Sequence, residues 1–119
     1  MIEAQNNTYS SNKKLHILNF YWDACPPCHS FMPIFIDAEK RYWEYIDFVV
    51  VNCATNIELS RKYSVMSTPT IIVLNWEEIV FNKPWVPNWS ELKQVLVNLI
   101  GKEPEVKKEQ KRKKFLWLF

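Results

Sequence analysis

The apolar residues of this chain form short continuous runs separated by helical stripes. Residues 15–22 (Leu-His-Ile-Leu-Asn-Phe-Tyr-Trp) are nearly all apolar. That is the pattern of a central strand covered on both faces. Beyond Cys28, apolar side chains at Phe31, Met32, Ile34, Phe35, Ala38, Tyr42 and Tyr45 recur near a period of 3.6, which predicts a helix over 28–45. Pro33 falls inside it, where it removes one ladder bond and predicts a kink. Residues 48–51 (Phe-Val-Val-Val) predict a second buried strand. Residues 56–63 suit a short helix, with Thr55 or Asn56 as cap and Leu59 and Tyr63 on one face. The polar residues 4–14 predict a loop or a poor helix.

Thr68-Pro69 opens a third strand over 70–74. Residues 75–77 predict a hairpin turn without the usual glycine, and 78–81 returns as an edge strand. Residues 83–87 predict a loop. Asn88 and Glu91 match a capping box, followed by a helix with Leu92, Val95, Leu96, Leu99 and Ile100 on one face. Gly101 is placed to end it. Pro104 breaks the pattern, and residues 105–114 are able to restart a helix. The order strand, helix, strand, helix, strand, strand, helix predicts an α/β fold, a mixed sheet with helices on both faces.

Composition sharpens this picture in three places. A hydrophobic content of 48 % with 15 % aromatics in 119 residues predicts one domain with a real core. A single glycine forces the turns onto Pro, Asn, Asp and Ser. The net charge of +2 is uneven. Residues 1–101 carry 8 basic and 10 acidic side chains (−2), and residues 102–119 carry 7 basic and 3 acidic (+4). The reading is therefore a domain over 1–101 and a basic extension over 102–119 that ends in five apolar residues. No leader-like or membrane-length apolar run is seen, so the expected compartment is a reducing cytosol, where a lasting structural disulfide is not expected.

The chemistry lies at Cys25-Pro26-Pro27-Cys28, between the first predicted strand and the first helix. On the first helical turn two sulfurs come close enough to bond, and unpaired N–H groups with the positive helix end stabilise a thiolate. The spacing points to dithiol redox chemistry rather than two structural thiols. Pro26 and Pro27 have no N–H, so the donors left for the Cys25 sulfur are the Cys28 N–H and the Cys28 thiol. Those donors and the helix end are expected to hold the Cys25 thiol below its free value. Cys25 is the expected nucleophile and Cys28 the resolving thiol. His29 completes C-x-x-C-H, the haem-attachment pattern, but a motif that starts a core helix offers no open pocket. His29 is read either as a first-turn cation that supports the thiolate or as a solvated histidine. Cys53 is read as a small core residue, or else as a regulatory thiol. It ends a different strand, so no zinc site is expected from Cys25, Cys28, Cys53 and a histidine. No cofactor and no metal are expected.

Residues 15–100 resemble the thioredoxin family. The resemblance rests on Phe20-Tyr21-Trp22-Asp23-Ala24-Cys25-Pro26-Pro27-Cys28, on Pro33, on Met66-Ser67-Thr68-Pro69-Thr70, and on the gap from Cys28 to Pro69. It implies a thioredoxin-like sheet of four to five strands whose first edge strand is missing or reduced to residues 2–4. It implies that Pro69 is cis, faces the dithiol and excludes metal, and that the Thr68 backbone pairs with substrate as an added strand. The implied activity is reduction or exchange of protein disulfides, with a thioredoxin-reductase-type electron donor. The alternatives are a disulfide oxidase or isomerase, and a binding module with little turnover. A monomer that binds no nucleic acid is expected.

Four positions depart from the family's pattern. Ala24 stands where a tryptophan is usual, which removes an aromatic wall beside the nucleophile. Pro26 replaces a glycine and stiffens the loop. Asn19 replaces a buried acid, so proton transfer at Cys28 loses its assistant and resolution is expected to be slow. Val86 replaces a glycine and is expected to narrow the substrate groove. The 102–119 extension is read as a solvated tail or as a segment that touches an acidic membrane surface or a partner.

Overall fold

The computed structural model describes residues 1–84 and 89–101. Among them the chain forms β1 (Ile2–Glu3), β2 (Leu15–Tyr21), α1 (Pro26–Tyr42), β3 (Ile46–Asn52), α2 (Ile57–Lys62), β4 (Thr70–Asn75), β5 (Glu78–Pro84) and α3 (Trp89–Ile100). The strands make one mixed sheet in the order β1-β3-β2-β4-β5. β2 lies at its centre, parallel to β3 from Leu15 opposite Ile46 to Tyr21 opposite Asn52. It runs antiparallel to β4, from Leu15 opposite Asn75 to Phe20 opposite Thr70. The first edge strand is present but only two residues long, and pairs with β3.

Successive strand residues face opposite sides, which splits the core in two. Leu15, Ile17, Phe48, Ile71 and Val73 pack with Phe31, Phe35, Ala38 and Tyr42 of α1 and Leu92 and Leu96 of α3. Leu18, Phe20, Val49, Val51, Ile72 and Leu74 pack with Leu59 of α2. Helices therefore cover both faces. Each buried aromatic or branched side chain contributes about 1.5–3 kcal/mol, so the continuous apolar runs of β2 and β4 anchor the sheet.

Several boundaries differ from the sequence reading. α1 starts at Pro26 rather than Cys28, because a helix tolerates proline on its first turn, where no N–H is required. It ends at Tyr42, and Tyr45 donates back to the Tyr42 carbonyl at 2.9 Å outside the helix. Ile34 is exposed, because the buried stripe runs through Phe31, Phe35, Ala38 and Tyr42 and leaves it at the rim. Trp22 lies beyond β2 and is 51 % exposed. β5 continues to Pro84, so the proposed loop at 83–84 is strand; proline is tolerated there because β5 is an edge.

Residues 4–14 form no helix. Gln5 and Thr8 bridge across Asn6 and Asn7, which take positive φ (52° and 64°), as asparagine does readily. That turn supplies a cap from afar. Asn7 Oδ1 accepts the Leu59 N–H at 3.1 Å, whereas Asn56, at the α2 N-cap, makes no side-chain capping bond. Asn56 is fully buried and instead donates to the carbonyls of Ala4 (3.2 Å) and Asn52 (3.1 Å). At the end of α3, Gly101 has φ 78° and donates to the Val97 carbonyl at 2.8 Å. A Cβ would meet nothing there, so the backbone angle is what calls for glycine. The Asn88 cap, Val86, most of the 83–87 loop and the 102–119 extension lie outside the described residues.

Candidate active site

β2 ends at Tyr21 and the chain reaches α1 through a four-residue turn. Cys25 is the N-cap of α1, extended at φ −130° and ψ 96°. Cys28 lies on the first turn, 2 % exposed, while Cys25 is half-buried. The two are joined as a disulfide with Cα atoms 5.2 Å apart. Pro26 and Pro27 occupy the helix positions between them and are both exposed.

Thr68-Pro69 comes to the same place from 40 residues along the chain. The Thr68–Pro69 peptide bond is cis and Pro69 is buried. The Thr68 carbonyl oxygen lies 3.7 Å from Cys25 Sγ, and the Thr68 hydroxyl donates to that sulfur at 3.4 Å. The Cys28 N–H donates to it at 3.3 Å. Thr68's hydroxyl was not anticipated from sequence, where attention went to its backbone; any threonine before the proline would have been the signal.

Beside the dithiol is an open cleft of about 480 Å³. Ala24, Cys25, Pro26, Pro27 and Thr68 line it, together with Trp22, Cys53, Ser60, Val65 and Met66. Ala24 removes an aromatic from one wall, but Trp22, two residues earlier, supplies one. Met66 is 93 % exposed at the rim. Trp22 and Met66 are among the residues that carry the family resemblance, but neither was expected as a site residue. Cys53, read as a small core residue or else a regulatory thiol, is half-buried: it packs against the core on the α2 side and also lines this cleft. Burial pushes its thiol up, partly offset by a hydrogen bond with Ser60.

Asn19 and His29 sit differently. Asn19 is 1 % exposed on the α1 side of β2, and its Nδ2 approaches Met32 Sδ at 4.0 Å. Met32 is four residues after Cys28, so Asn19 lies beneath the helix face that carries both. Its Oδ1 has no hydrogen-bond partner among the described residues. His29 is exposed, and its Nε2 donates to the Asp23 carbonyl at 2.6 Å, tying the first turn of α1 to the preceding loop. Among the described residues no group of three His, Cys, Asp or Glu side chains is placed to hold a metal ion. No helix among them is long and apolar enough to cross a membrane.

Comparison with known families matches residues 3–98 to Thioredoxin. The chain belongs to the thioredoxin family. It is 27 % identical over 86 residues to the thioredoxin of Buchnera aphidicola subsp. Acyrthosiphon pisum, covering 72 % of this chain and 80 % of that one. The solution structure of oxidised thioredoxin from Plasmodium falciparum is 27 % identical, covers 75 % of this chain and 84 % of its own, and superposes with a TM-score of 0.65. Chlamydomonas reinhardtii thioredoxin f2 shares the fold at a TM-score of 0.71 and 20 % identity, over 82 % of this chain and 94 % of its own. Family membership and the paired Cys25 and Cys28 make this thioredoxin-family chain a thiol–disulfide oxidoreductase acting on protein disulfides. The family's general partners are disulfide-containing proteins and a reductase.

Proposed function

We propose that Cys25 is the nucleophile and Cys28 the resolving thiol of a disulfide reductase. The Cys25 thiolate attacks one sulfur of a substrate disulfide; a mixed disulfide forms and the other substrate sulfur leaves as a thiolate that takes a proton from water. Cys28, deprotonated, then attacks Cys25 Sγ and expels the second substrate thiolate. The substrate gains two electrons and the protein is left with the Cys25–Cys28 disulfide, which a thioredoxin-reductase-type donor reduces. The observation that carries this reading is the pairing of a half-buried N-cap sulfur with an enclosed one, the outer sulfur facing the cleft and Thr68.

In this reading the Thr68 backbone pairs with an extended substrate segment as an added strand, while Pro69 and Ala24 shape the groove around it. Pro26, Pro27, Asn19 and His29 set the redox balance and the rate of resolution. The protein works as a cytoplasmic monomer without a cofactor of its own, and the 102–119 extension is either a solvated tail or a dock for an acidic membrane surface or a partner. The test is insulin reduction by dithiothreitol-recharged protein. The unmodified chain turns over and Cys25→Ser falls to the uncatalysed background. Turnover that survives in Cys25→Ser, or none in the unmodified chain, overturns the assignment, the second result favouring a binding module.

A further inference from the structure

Two hydrogen bonds meet on Asp23, and they come from different elements. Trp22, Asp23 and Ala24 are exposed and lie between β2 and α1. The Asp23 carbonyl accepts from His29 Nε2 of α1 at 2.6 Å. Its carboxylate accepts from Asn52 Nδ2, at the end of β3, at 3.4 Å. The Asn52 side chain is itself held, its Oδ1 accepting the Ala54 N–H at 2.9 Å. Asp23 stands two residues before Cys25, and His29 follows Cys28 directly. The ring-to-carbonyl bond therefore closes a loop that contains both sulfurs. Inside that loop Pro26 and Pro27 offer no N–H. The backbone donors that reach back to Cys25 are Cys28, to its sulfur at 3.3 Å, and His29, to its carbonyl at 3.1 Å.

We propose that His29 is a positioning residue of the redox pair, acting through its bond to the Asp23 carbonyl and not through its charge. The proposal rests on the assignment of Cys25 and Cys28 as the exchanging thiols. In the oxidised chain the disulfide itself ties Cys25 to α1. In the dithiol, and while Cys25 carries a substrate, that tie is gone, and hydrogen bonds alone hold the stretch from Trp22 to Cys25. The His29 latch then keeps Cys25 where Cys28 reaches it, so less freedom is lost when the pair closes. Removing the latch frees the open states and leaves the closed one almost as before. The disulfide thereby becomes easier to reduce, and the protein a weaker reductant. An Nε2–H is present both in the neutral tautomer that makes this bond and in the cationic ring, so the latch needs a donor and not a charge.

The experiment equilibrates the full chain with graded ratios of reduced to oxidised dithiothreitol. Reduced dithiothreitol passes two electrons and two protons to the Cys25–Cys28 disulfide and closes into its own cyclic disulfide. After quenching with N-ethylmaleimide, the mass of the peptide that carries both cysteines gives the fraction reduced, so that Cys53 does not contribute. His29→Ala removes the donor; His29→Gln keeps a neutral donor at a similar reach. In His29→Ala the ratio of reduced to oxidised dithiothreitol at the midpoint is expected to fall about threefold, the size of one exposed hydrogen bond. His29→Gln is expected to restore the midpoint of the unmodified chain. A His29→Ala midpoint equal to that of the unmodified chain overturns the proposal. So does a His29→Gln midpoint as low as that of His29→Ala, because the ring or its charge would then be at work and not the donated bond. His29 is exposed, so neither substitution opens the core. The readout uses no protein substrate, so its failure leaves the insulin test of Cys25 standing.

Discussion

The two ends of β2 treat their polar groups in opposite ways. At the Leu15 end, Tyr9, Ser11, Lys13, His16 and Asp47 close into one satisfied cluster. Tyr9 OH donates to His16 Nδ1 at 3.0 Å, and His16 Nε2 donates to the Lys13 carbonyl at 2.6 Å, a pairing that fits one neutral tautomer. Lys13 Nζ reaches Asp47 at 3.2 Å, and the Ser11 hydroxyl donates to the same carboxylate. At the Tyr21 end, a few residues on, Asn19 keeps a buried oxygen without a partner among the described residues, and Cys25 gathers donors on a sulfur. A buried carbonyl without a partner costs about 1–3 kcal/mol. One end of the strand spends its hydrogen bonds on holding the fold, and the other keeps bonding capacity open beside reacting atoms.

The largest test of that contrast is at Asn19. An amide cannot take a proton from Cys28, so Asn19→Asp is expected to speed the resolution step at least tenfold, positioned proton acceptors being worth about 10²–10⁴. The assay is an aromatic disulfide substrate, in which the second thiolate released reports resolution. The introduced carboxyl is buried, and desolvation raises its pKa on folding. The variant therefore loses stability as pH climbs above about 4, the unfolded value. Asn19→Leu, which deletes the orphan oxygen, is expected to gain about 1 kcal/mol in urea unfolding without speeding resolution. If neither rate nor stability moves, the open polar capacity at this end is incidental and the two ends do not differ in kind.

How far the chain could be read without coordinates follows the same division. β2, β4, the α1 stripe and the Cys25–Cys28 turn were legible because their signals are local: continuous apolar runs, a 3.6 period, a two-residue spacing. The Leu15-end cluster was not. Asp47 is a poor strand residue and lay outside the predicted strand, yet β3 includes it because Ser11 and Lys13, more than 30 residues away, satisfy it. The Asn7 cap of α2 was hidden for the same reason. At the site, the meeting of Thr68-Pro69 with the dithiol was legible through the family resemblance and its spacing, but the contact of the Thr68 hydroxyl and the Trp22 wall are side-chain details that the pattern does not encode.

The next effect in size belongs to Asp47. Burial raises its pKa, but the bonds from Ser11 and Lys13 and the Lys13 charge outweigh that and hold the carboxyl below its ordinary value. A lowered folded value means that ionised Asp47 contributes stability above the unfolded pKa of about 3.9, and that this contribution is lost as pH falls through the folded value. Asp47→Asn is therefore expected to lose roughly 1–2 kcal/mol at neutral pH by urea unfolding, with the gap closing below about pH 4. Disulfide turnover at neutral pH should be unchanged. A gap that stays constant through acid pH means that shape, not charge, holds this end, and a loss of turnover means that the two ends are coupled.

The smallest effect tests whether the supporting end is as relaxed as its hydrogen bonds suggest. Trp76 turns the hairpin between β4 and β5, at the end where Asn75 pairs with Leu15, and has φ 54°. Its N–H donates to the Lys14 carbonyl at 2.7 Å, and the residue is 64 % exposed. A residue with a Cβ is disfavoured in this left-handed region, and glycine is not. Trp76→Gly keeps the backbone bond and relieves the angle, against a larger loss of chain entropy on folding, so a net gain of about 0.5 kcal/mol is expected. Trp76→Asn, which also tolerates positive φ, should gain less. A clear loss in Trp76→Gly, with Trp76→Asn unchanged, would mean that the turn's strain is real but that something larger than glycine is needed to shield the Lys14 bond from water. The strained angle would then be held by local cover rather than by the satisfied cluster beside it.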